Sequence, residues 1–454
     1  MALSSRKTGK EYSVLLSPDD IPTSWGNLQS ELPEKLPLPL DPKTKKPASI
    51  EFLYRIFAKE LVRQELSDDH FISIPDEVLD SYLRISRPTP LVRAKRLEQY
   101  LKTPAEIYYK SEHISPTGAH KLNVAIPAAY YTKQENAERI VTLTGAGQWG
   151  SALAMASSML DMKCTVYMVR VSYDQKPGRR IMMNLWGAEV FPSPSTNTKA
   201  GRRILKNNPD DPGSMGVAVS ESLEDALSDP KAKYCTGSLW NYTMINQSII
   251  GLEAKKQFDM IDVYPDIVCG CIGGGSNLAG MSYPFMVDKL KGKVDTDFIA
   301  IEPKAIPSTT RGTYTYDYGD SAKLTPLIKM YTVGHDYANP PIHAGGLRHH
   351  GKSPLISYLI YNNFMRSVAY HQNEVFEAAR IFAKTEGIIV APETAHTIKC
   401  VIDEALKCKK TNEKKVITFA LTGHGLLDLV SYDKFLKNEL IDWEPTDIKV
   451  PHFV

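Results

Sequence analysis

Short apolar runs that end in glycine-rich turns, each followed by a helical pattern, constrain the fold of this chain most strongly. The run at residues 139–143 leads into Thr144-Gly145-Ala146-Gly147-Gln148 and then into an apolar helical stretch at 151–160. The run at residues 265–272 leads into Gly273-Gly274-Gly275-Ser276-Asn277 and a second helix. Strands that alternate with helices form mainly parallel sheets flanked by helices. The pattern therefore predicts an α/β fold.

The same alternation extends along the chain. Further strands are predicted at 107–110, 164–171, 188–191, 298–302, 388–391 and 416–421. Further helices are predicted at 51–65, 122–131, 179–186 and 374–386, the last with Asn373 as its N-cap. The polar stretch 193–229 is predicted to be a loop with one short helix.

We expect two α/β domains with a ligand cleft between them. The predicted parts are an N-terminal arm with helices at 1–85, a first domain at 86–240, a second domain at 241–435 and a tail at 436–454. The arm is predicted because the first 48 residues are polar and proline-rich.

Composition excludes several classes of function. Of the 454 residues, 43% are hydrophobic and 23% charged, which is typical of an ordinary globular protein. The net charge of +2 argues against binding to nucleic acid or to a membrane surface. Six cysteines are too few for a disulfide framework, and the sequence has neither a signal-peptide pattern nor an apolar run long enough to span a bilayer. We therefore expect a cytoplasmic enzyme.

Lys121 is the candidate nucleophile. It follows the turn-forming Gly118-Ala119-His120 and precedes Leu122-Asn123, where a largely apolar helix begins. Burial among apolar neighbours would lower the pKa of the amine and make it reactive, as a Schiff-base lysine requires. Taken alone, this stretch fits a helix-terminal lysine with its charge in water better. The loops elsewhere in the chain favour the nucleophile.

The loop 273–277 is a candidate phosphate site. Without side chains its backbone can direct several N–H groups at one anion, and the following helix adds positive potential. A tight-packing turn is the alternative. The loop matches neither the GxGxxG pattern nor the phosphate loop of nucleotide-hydrolysing enzymes, so a single phosphate fits better than a dinucleotide.

Two more turns occupy comparable positions. Thr144, Gly145, Ala146, Gly147 and Gln148 could bind a carboxylate through backbone N–H groups and the Thr144 hydroxyl. Thr422 follows the last strand, at the sheet edge where α/β proteins bind ligands. Plain turns are the alternative for both. Together, a lysine nucleophile, a phosphate loop, a carboxylate loop and this hydroxyl predict pyridoxal phosphate with an amino-acid substrate.

At these residues the chain resembles the tryptophan synthase β chains, which are pyridoxal-phosphate enzymes of fold type II. The resemblance spans about residues 80 to 435 and includes the four motifs at 118–123, 144–148, 273–277 and 386–393. Trp149, the segment 175–177, the long arm and the segment 342–348 resemble the divergent second, stand-alone subfamily. The resemblance implies a carbon–oxygen lyase with the cofactor in the cleft, and that part of residues 90–119 crosses into the second domain.

The resemblance also implies residue roles. Lys121 would hold the cofactor as an aldimine and then move the Cα proton. His120, Asn123 and the loop Gly273, Gly274, Gly275, Ser276, Asn277 would bind the cofactor, mainly through its phosphate. Glu393 would lie near the cofactor ring, and Thr422 would face the pyridine nitrogen. A neutral hydroxyl there leaves that nitrogen unprotonated, which favours elimination at Cβ over transamination.

Leu143 departs from the family pattern, which has an acidic residue just before the Thr-Gly-Ala-Gly-Gln motif. Leucine can neither protonate a leaving hydroxide nor accept the indole N–H. We therefore predict that O-phospho-L-serine, which carries its own leaving group, can replace L-serine as the donor that is joined to indole. Lys176, Arg179, Arg180 and Arg348 are the candidate phosphate contacts. A solvated basic face is the alternative for these four.

Other functions stay open at this point. One is another fold-type II β-replacement or deamination, such as cysteine-synthase-like chemistry, and another is a cofactor-binding regulator without activity. His349-His350 lacks a third metal ligand at a recognised spacing, and Trp149 and Trp186 suit either an indole pocket or the core. The resemblance implies a homodimer. It leaves open an α-chain partner and a monovalent cation near the cofactor.

Overall fold

The structure is a computed structural model that describes residues 12–450 and 453. The strands in chain order are β1 (Ser13–Val14), β2 (Ser24–Gly26), β3 (Phe71–Ser73), β4 (Leu91–Arg93), β5 (Glu106–Lys110), β6 (Arg139–Thr144), β7 (Lys163–Val169), β8 (Glu189–Ser193), β9 (Ala232–Tyr234), β10 (Ile267–Cys271), β11 (Asp297–Pro303), β12 (Thr313–Tyr318), β13 (Leu327–Thr332), β14 (Arg366–Tyr370) and β15 (Val416–Ala420).

The helices are α1 (Ile50–Ile56), α2 (Lys59–Glu65), α3 (Asp76–Arg84), α4 (Lys95–Leu101), α5 (Leu122–Gln134), α6 (Gln148–Met159), α7 (Arg170–Gln175), α8 (Pro177–Leu185), α9 (Lys199–Asn207), α10 (Met215–Ser228), α11 (Asn241–Asp259), α12 (Ser276–Leu290), α13 (Pro354–Tyr361), α14 (Gln372–Glu386), α15 (Pro392–Thr411) and α16 (Leu429–Leu436). Short 3-10 helices lie at Pro18–Asp20, Leu28–Glu31, Glu112–Ile114 and Gly345–Leu347.

A four-stranded parallel sheet has the order β8-β7-β6-β9. Its apolar side chains share one core with α5, α6 and α10 and with the N-terminal helices α1 to α3. This core explains why the early helices pack on the first α/β unit: without it, α1 to α3 would expose Leu53, Leu61 and Val78.

A seven-stranded sheet has the order β1-β4-β5-β15-β10-β11-β14. Pairing is parallel from β5 to β14 and antiparallel at the β1-β4-β5 edge. Apolar cores cover both faces, as a mainly parallel sheet requires. The predicted α/β class with two mainly parallel sheets is confirmed.

The β4 and β5 segments precede α5 in the chain, yet they pair within the seven-stranded sheet. Ile107 of β5 is in register with Ile417 of β15. Helix α11 follows the predicted boundary at 240/241 and contributes apolar side chains to cores on both sides, among them Ile245 and Phe258. The domain boundaries at 85/86, 240/241 and 435/436 stay a prediction.

Several predicted elements differ in the structure. The predicted helix at 51–65 is two helices, because Phe57 and Ala58 adopt extended backbone between α1 and α2. The stretch 193–229 contains two helices, α9 and α10, each capped by a hydroxyl that accepts a backbone N–H. Residues 388–391 form no named strand and contribute one bridge at Val390, since the chain turns there into α15.

The N-cap of α14 is His371 and not the predicted Asn373. The Glu374 carboxylate accepts the His371 backbone N–H at 2.6 Å, which completes a capping box.

The β12–β13 hairpin and β14 were not predicted. All six cysteines are free and buried. Within residues 12–450 and 453 no helix is long and apolar enough to cross a bilayer. Residues 1–11 of the predicted arm lie outside the described residues.

Candidate active site

The predicted site residues converge where strand ends meet helix starts. The carboxyl ends of β6, β10 and β15 lie beside the first turns of α5, α6, α12 and α15. Two adjoining cavities open there, both lined by Lys121 and Gln148. We name them the cofactor cavity, of about 380 Å³, and the substrate cavity, of about 450 Å³. Ligands commonly bind at this edge of a parallel sheet.

Lys121 stands at the start of α5, and its side chain reaches both cavities. Burial lowers the pKa of its amine, and the Glu393 carboxylate partly opposes this shift. A lowered pKa leaves more of the amine uncharged and therefore nucleophilic. The amine is therefore buried with a lowered pKa, and its role as the Schiff-base lysine stays a prediction.

His120 lines the cofactor cavity beside Lys121. Its backbone N–H donates to the Thr422 carbonyl at 3.0 Å, and its ring Nδ1 lies 3.2 Å from the same oxygen. Burial lowers the pKa of the imidazole to about 3, so the ring is neutral. Its buried Nε2 has no partner among the described residues. An unpaired buried polar atom at a cavity wall marks a place for a ligand atom.

The loop 273–277 forms one end of the cofactor cavity. A Cβ at Gly273 would lie 2.3 Å from the Gly346 carbonyl oxygen, so only glycine fits there. Gly275 has a φ of +109° and caps α12, whose positive end therefore faces the cavity. The Asn277 amide donates to the Cys271 carbonyl at 2.8 Å, which fixes the strand-to-helix turn. The loop has the geometry of an anion cradle.

The loop 144–148 forms a wall of the substrate cavity through Thr144, Gly145, Ala146 and Gln148. The Thr144 hydroxyl accepts the N–H groups of Gly147 and Gly150 at 3.2 and 3.1 Å. Gly147, with a φ of +91°, caps α6. The turn therefore places a helix N-terminus at the cavity, where a carboxylate is stabilised.

Glu393 and Thr422 also line the cofactor cavity. The Glu393 carboxylate accepts the Gly346 backbone N–H at 2.7 Å and the Gln148 amide at 3.1 Å. The Thr422 hydroxyl lies 2.7 Å from the hydroxyl of Thr394. Neither threonine is ionisable, so this end of the cavity offers a cofactor ring hydrogen bonds without a charge.

Leu143 is the second-last residue of strand β6. It lines both the substrate cavity and a third, largely apolar cavity of about 550 Å³. This apolar cavity is bounded by Ile56, Phe57, Leu223, Trp240 and Ile328, among others. Trp149 lines the substrate cavity. Trp186 packs on the core outside all three cavities.

The four predicted phosphate contacts have different surroundings. Lys176 pairs with Asp428 at 2.5 Å. Arg179 is buried and donates through Nη1 to the Thr117 carbonyl at 2.8 Å, while its Nε and Nη2 have no partner in the described residues. Arg348 is buried and donates to the Ser172 hydroxyl at 2.6 Å. Arg180 stacks 4.6 Å from the centre of the Tyr173 ring.

Arg179 packs against the loop 144–148, and Arg348 packs against Gly345, next to this loop. A Cβ at Gly147 would lie 2.6 Å from the Arg179 Cβ. A Cβ at Gly345 would lie 2.9 Å from the Arg348 Nη2 and 3.1 Å from the Ala146 Cβ. Burial lowers the pKa of Arg348 to about 10. Neither guanidinium forms a salt bridge with a carboxylate in the described part of the chain.

Asn123 does not line the cofactor cavity, so its cofactor role stays a prediction. Its side chain is hydrogen-bonded to other side chains. Its amide donates to Glu112 and Gln247 at 2.9 and 3.0 Å and accepts from Arg87 at 2.7 Å. Gln247 in turn donates to the His120 carbonyl at 3.3 Å. Asn123 therefore braces the start of α5.

Sequence reasoning missed several lining residues. They are Met215, Thr236, Gly237, Ser238, Gly346, Leu347, His349 and Cys271. Gly346 could have been found, because the segment 342–348 was already part of the family resemblance and contains two adjacent glycines. Thr236, Gly237 and Ser238 could not, because they follow the short strand β9, which the apolar pattern did not predict.

Pyridoxal phosphate fits the cofactor cavity. A nucleophilic amine suits its aldehyde, an anion cradle suits its phosphate, and the paired threonine hydroxyls suit a neutral pyridine nitrogen. The unpaired Nε2 of His120 is a further polar atom available at this cavity.

Comparisons with known proteins agree. The family model of pyridoxal-phosphate-dependent enzymes matches residues 83–423. The tryptophan synthase beta chain of Pyrococcus horikoshii is 55% identical over 95% of this chain and 94% of its own length. The tryptophan synthase beta chain 2 of Aeropyrum pernix is 55% identical over 96% of this chain and 98% of its own length.

Two solved structures share the fold at low identity. The fungal L-serine ammonia-lyase of Rhizomucor miehei has a TM-score of 0.59 at 16% identity, over 78% of this chain and 99% of its own. The threonine deaminase of T.th. has a TM-score of 0.55 at 20% identity, over 77% of this chain and 97% of its own. From the site and from these matches, the chain belongs to the pyridoxal-phosphate-dependent enzymes and, within them, to the tryptophan synthase β chains.

Proposed function

We propose that the protein forms L-tryptophan from indole and O-phospho-L-serine, with L-serine as a poorer donor. The indole C3–Cβ bond forms, the Cβ–O bond breaks, the C3 proton is lost and inorganic phosphate leaves. The observation that carries the proposal is Leu143 in the wall of the substrate cavity, with two buried arginines close by whose guanidinium groups form no salt bridge among the described residues: Arg179, packed against Gly147, and Arg348, packed against Gly345. The names of the relatives support the tryptophan part of the proposal.

Bound pyridoxal phosphate supplies an electron sink for the amino acid. The residues of the chain then do the rest. Lys121 anchors the cofactor and moves the Cα proton, for which its lowered pKa suits it. His120 and the loop 273–277 hold the phosphate of the cofactor, and the loop 144–148 holds the substrate carboxylate. Glu393 supports the cofactor ring, and Thr422 faces the pyridine nitrogen.

The ease with which the leaving group departs from Cβ determines which donor amino acid the protein can use. Hydroxide is a poor leaving group that needs a proton, and Leu143 has none to give. Phosphate leaves without a proton and carries negative charge that a buried guanidinium stabilises. Arg179 has two N–H-bearing nitrogens available for this contact among the described residues. Lys176 already forms an ion pair with Asp428, so we assign binding of the donor phosphate to Arg179 and Arg348.

Indole fits the apolar cavity beyond Leu143. Most of its lining residues are aliphatic or aromatic, and it shares Leu143, Met215 and His349 with the substrate cavity. Burying an aromatic ring there is favourable at roughly 25 cal/mol per Å² of apolar surface. The nucleophilic carbon of indole would then meet Cβ at the junction of the two cavities.

The donor is tested by comparing kcat/KM for L-serine and O-phospho-L-serine with indole. We expect O-phospho-L-serine to be preferred by about 10²–10⁴-fold, the usual contribution of the missing general acid. A clear preference for L-serine would overturn the donor assignment and leave tryptophan formation standing.

Replacing Arg179 with methionine is expected to lower kcat/KM for O-phospho-L-serine by about 10–100-fold, since hydrogen bonds to charged groups contribute roughly 1.5–3 kcal/mol. The value for L-serine should change little. Arg180→Met is the matched control, because Arg180 is the next residue on α8 but stacks on Tyr173. Equal losses with both donors would assign Arg179 to the fold and not to the phosphate.

We also infer a homodimer. Helix α16 and the segment after it expose Leu429, Val430, Leu436, Ile441 and Trp443, an apolar surface that a second copy could cover. Light scattering on the purified protein measures the mass directly, and a monomer at micromolar concentration would contradict the inference.

We place the protein in the cytoplasm. The support is that all six cysteines are unpaired and buried, the state that a reducing compartment maintains. Fractionation of cells that produce the protein checks this location, and recovery outside the cytoplasmic fraction would contradict it.

A further inference from the structure

Lys352 is a buried cation that the proposed chemistry does not use. It lies between the 3-10 helix Gly345–Leu347 and α13, and its side chain is 0% exposed. Three oxygen atoms surround its ammonium: the Ile272 carbonyl at 3.4 Å, the His349 carbonyl at 3.5 Å and the Glu302 carboxylate at 3.6 Å. All three distances exceed the roughly 2.9 Å of an optimal hydrogen bond, so the ammonium acts as a central charge among them.

The Glu302 side chain is fixed by hydrogen bonds from three donors. It accepts the backbone N–H groups of Thr309 and Thr310 at 3.0 and 2.9 Å and the Thr310 hydroxyl at 2.8 Å. Burial lowers the pKa of Lys352, and the Glu302 charge opposes that shift. A buried carboxylate with only donors around it favours a protonated lysine beside it.

The carbonyl contacts set the direction of the phosphate loop. The Ile272 carbonyl and the Gly273 N–H belong to one planar trans peptide, so they point in opposite directions. Because the carbonyl faces Lys352, the Gly273 N–H faces away from it, and Gly273 lines the cofactor cavity. The Gly274 carbonyl accepts the Ser353 N–H at 2.9 Å. The Gly275 N–H belongs to the same trans peptide, so it points away from Ser353.

Carbonyl oxygens turned to one point repel one another unless a cation lies between them. Any loop that directs several N–H groups at an anion collects carbonyls on its other side for the same reason. The His349 carbonyl joins this cluster, and His349 lines the substrate cavity. Through these two carbonyl contacts, the ammonium of Lys352 connects the loop 273–277 to His349 in the lining of the substrate cavity.

We infer that the Lys352 ammonium is a built-in monovalent cation that holds the phosphate loop in its binding shape, so that the protein needs no alkali-metal ion there. This answers the question of a monovalent cation that the sequence left open. Lys352 is a positioning residue in this role, since it lines neither the cofactor cavity nor the substrate cavity. The inference rests on the proposed cofactor site.

The test compares wild type and Lys352→Met in buffers that contain either KCl, NH4Cl or tetramethylammonium chloride at equal ionic strength. Tetramethylammonium is too large for the space between the oxygens. Wild type should bind pyridoxal phosphate equally well in all three salts. Lys352→Met should bind it about tenfold or more weakly in tetramethylammonium and recover, saturably, with K⁺ or NH4⁺.

Lys110→Met is the matched control. Lys110 is also 0% exposed and pairs with a buried carboxylate, Glu253, at 2.7 Å, but it contacts neither loop. This variant should lose thermal stability without gaining any dependence of cofactor affinity on the salt. The thermal midpoint of each apo-protein in the three salts gives a second readout, and only Lys352→Met should show a rise with K⁺.

Two results would overturn the inference: a wild type whose cofactor affinity needs K⁺, or a Lys352→Met variant with wild-type affinity in every salt. If Lys352→Met refolds poorly, its refolding yield in the three salts replaces the affinity, and equal yields would count against the inference. Failure of the cofactor site itself is distinguishable, because wild type would then bind no pyridoxal phosphate in any salt.

Discussion

Replacing Lys121 with alanine is expected to abolish tryptophan formation. In the proposed function the amine is both the nucleophile that anchors the cofactor and the base that moves the Cα proton, and burial lowers its pKa accordingly. Loss of a general base alone commonly lowers the rate by about 10²–10⁴-fold, and loss of the covalent anchor adds to this. The measurement is the initial rate with indole and O-phospho-L-serine.

Absorbance gives an independent check on Lys121. Wild type reconstituted with pyridoxal phosphate should show the visible band of a protonated imine, and Lys121→Ala should show the free aldehyde. Lys133→Ala is the control, since Lys133 lies near the end of the same helix but is exposed and donates to the Leu160 carbonyl. A Lys121→Ala variant that keeps both the band and the rate would refute the assignment of the site.

The fold was predictable where the signal is local. The turns at 144–148 and 273–277 combine glycines that no other residue could replace with an apolar strand before and a helix after, so they appear in the sequence and in the structure alike. For Lys121 the local sequence was not enough, because its own neighbours fit a solvated helix-terminal lysine better, and only the loops elsewhere in the chain favoured the buried amine that the structure shows.

Long-range pairing was not predictable from the residues. Strand β5 pairs with β15, with Ile107 opposite Ile417, and nothing local in either strand specifies that partner. Only the family resemblance implied that this early segment crosses over. Strand β14 was missed because none of its residues is fully buried, which weakens the apolar pattern on which the prediction depends.

The surroundings of the basic residues on α8 were also not predictable from the sequence. Arg179 and Arg180 are adjacent in sequence and looked equivalent, but successive residues on a helix point about 100° apart. Arg179 is buried against Gly147, whereas Arg180 stacks on the Tyr173 ring. No local pattern indicated that Lys176 pairs with Asp428, which lies 252 residues away in the chain.

The second large effect is expected from Leu143→Glu, which should raise kcat/KM for L-serine by about 10²-fold or more. The Leu143 side chain lies at the junction of the substrate and apolar cavities, where a carboxyl group would meet mainly apolar walls. Such surroundings raise the pKa of a carboxyl group, so it would be protonated near neutral pH and able to give its proton to departing hydroxide. The measurement is initial rate against L-serine concentration at saturating indole.

The same variant should lose activity with O-phospho-L-serine, because an acidic group there repels the donor phosphate whenever it ionises, and phosphate gains nothing from the acid. Leu143→Gln is the control: it has the size and hydrogen-bonding capacity of glutamate but no proton to transfer. If Leu143→Gln improves L-serine turnover as much as Leu143→Glu, polarity and not acid catalysis limits the reaction. If neither variant changes the donor preference, the leaving group is not selected at residue 143, and the preference must come from the guanidinium groups of Arg179 and Arg348 alone.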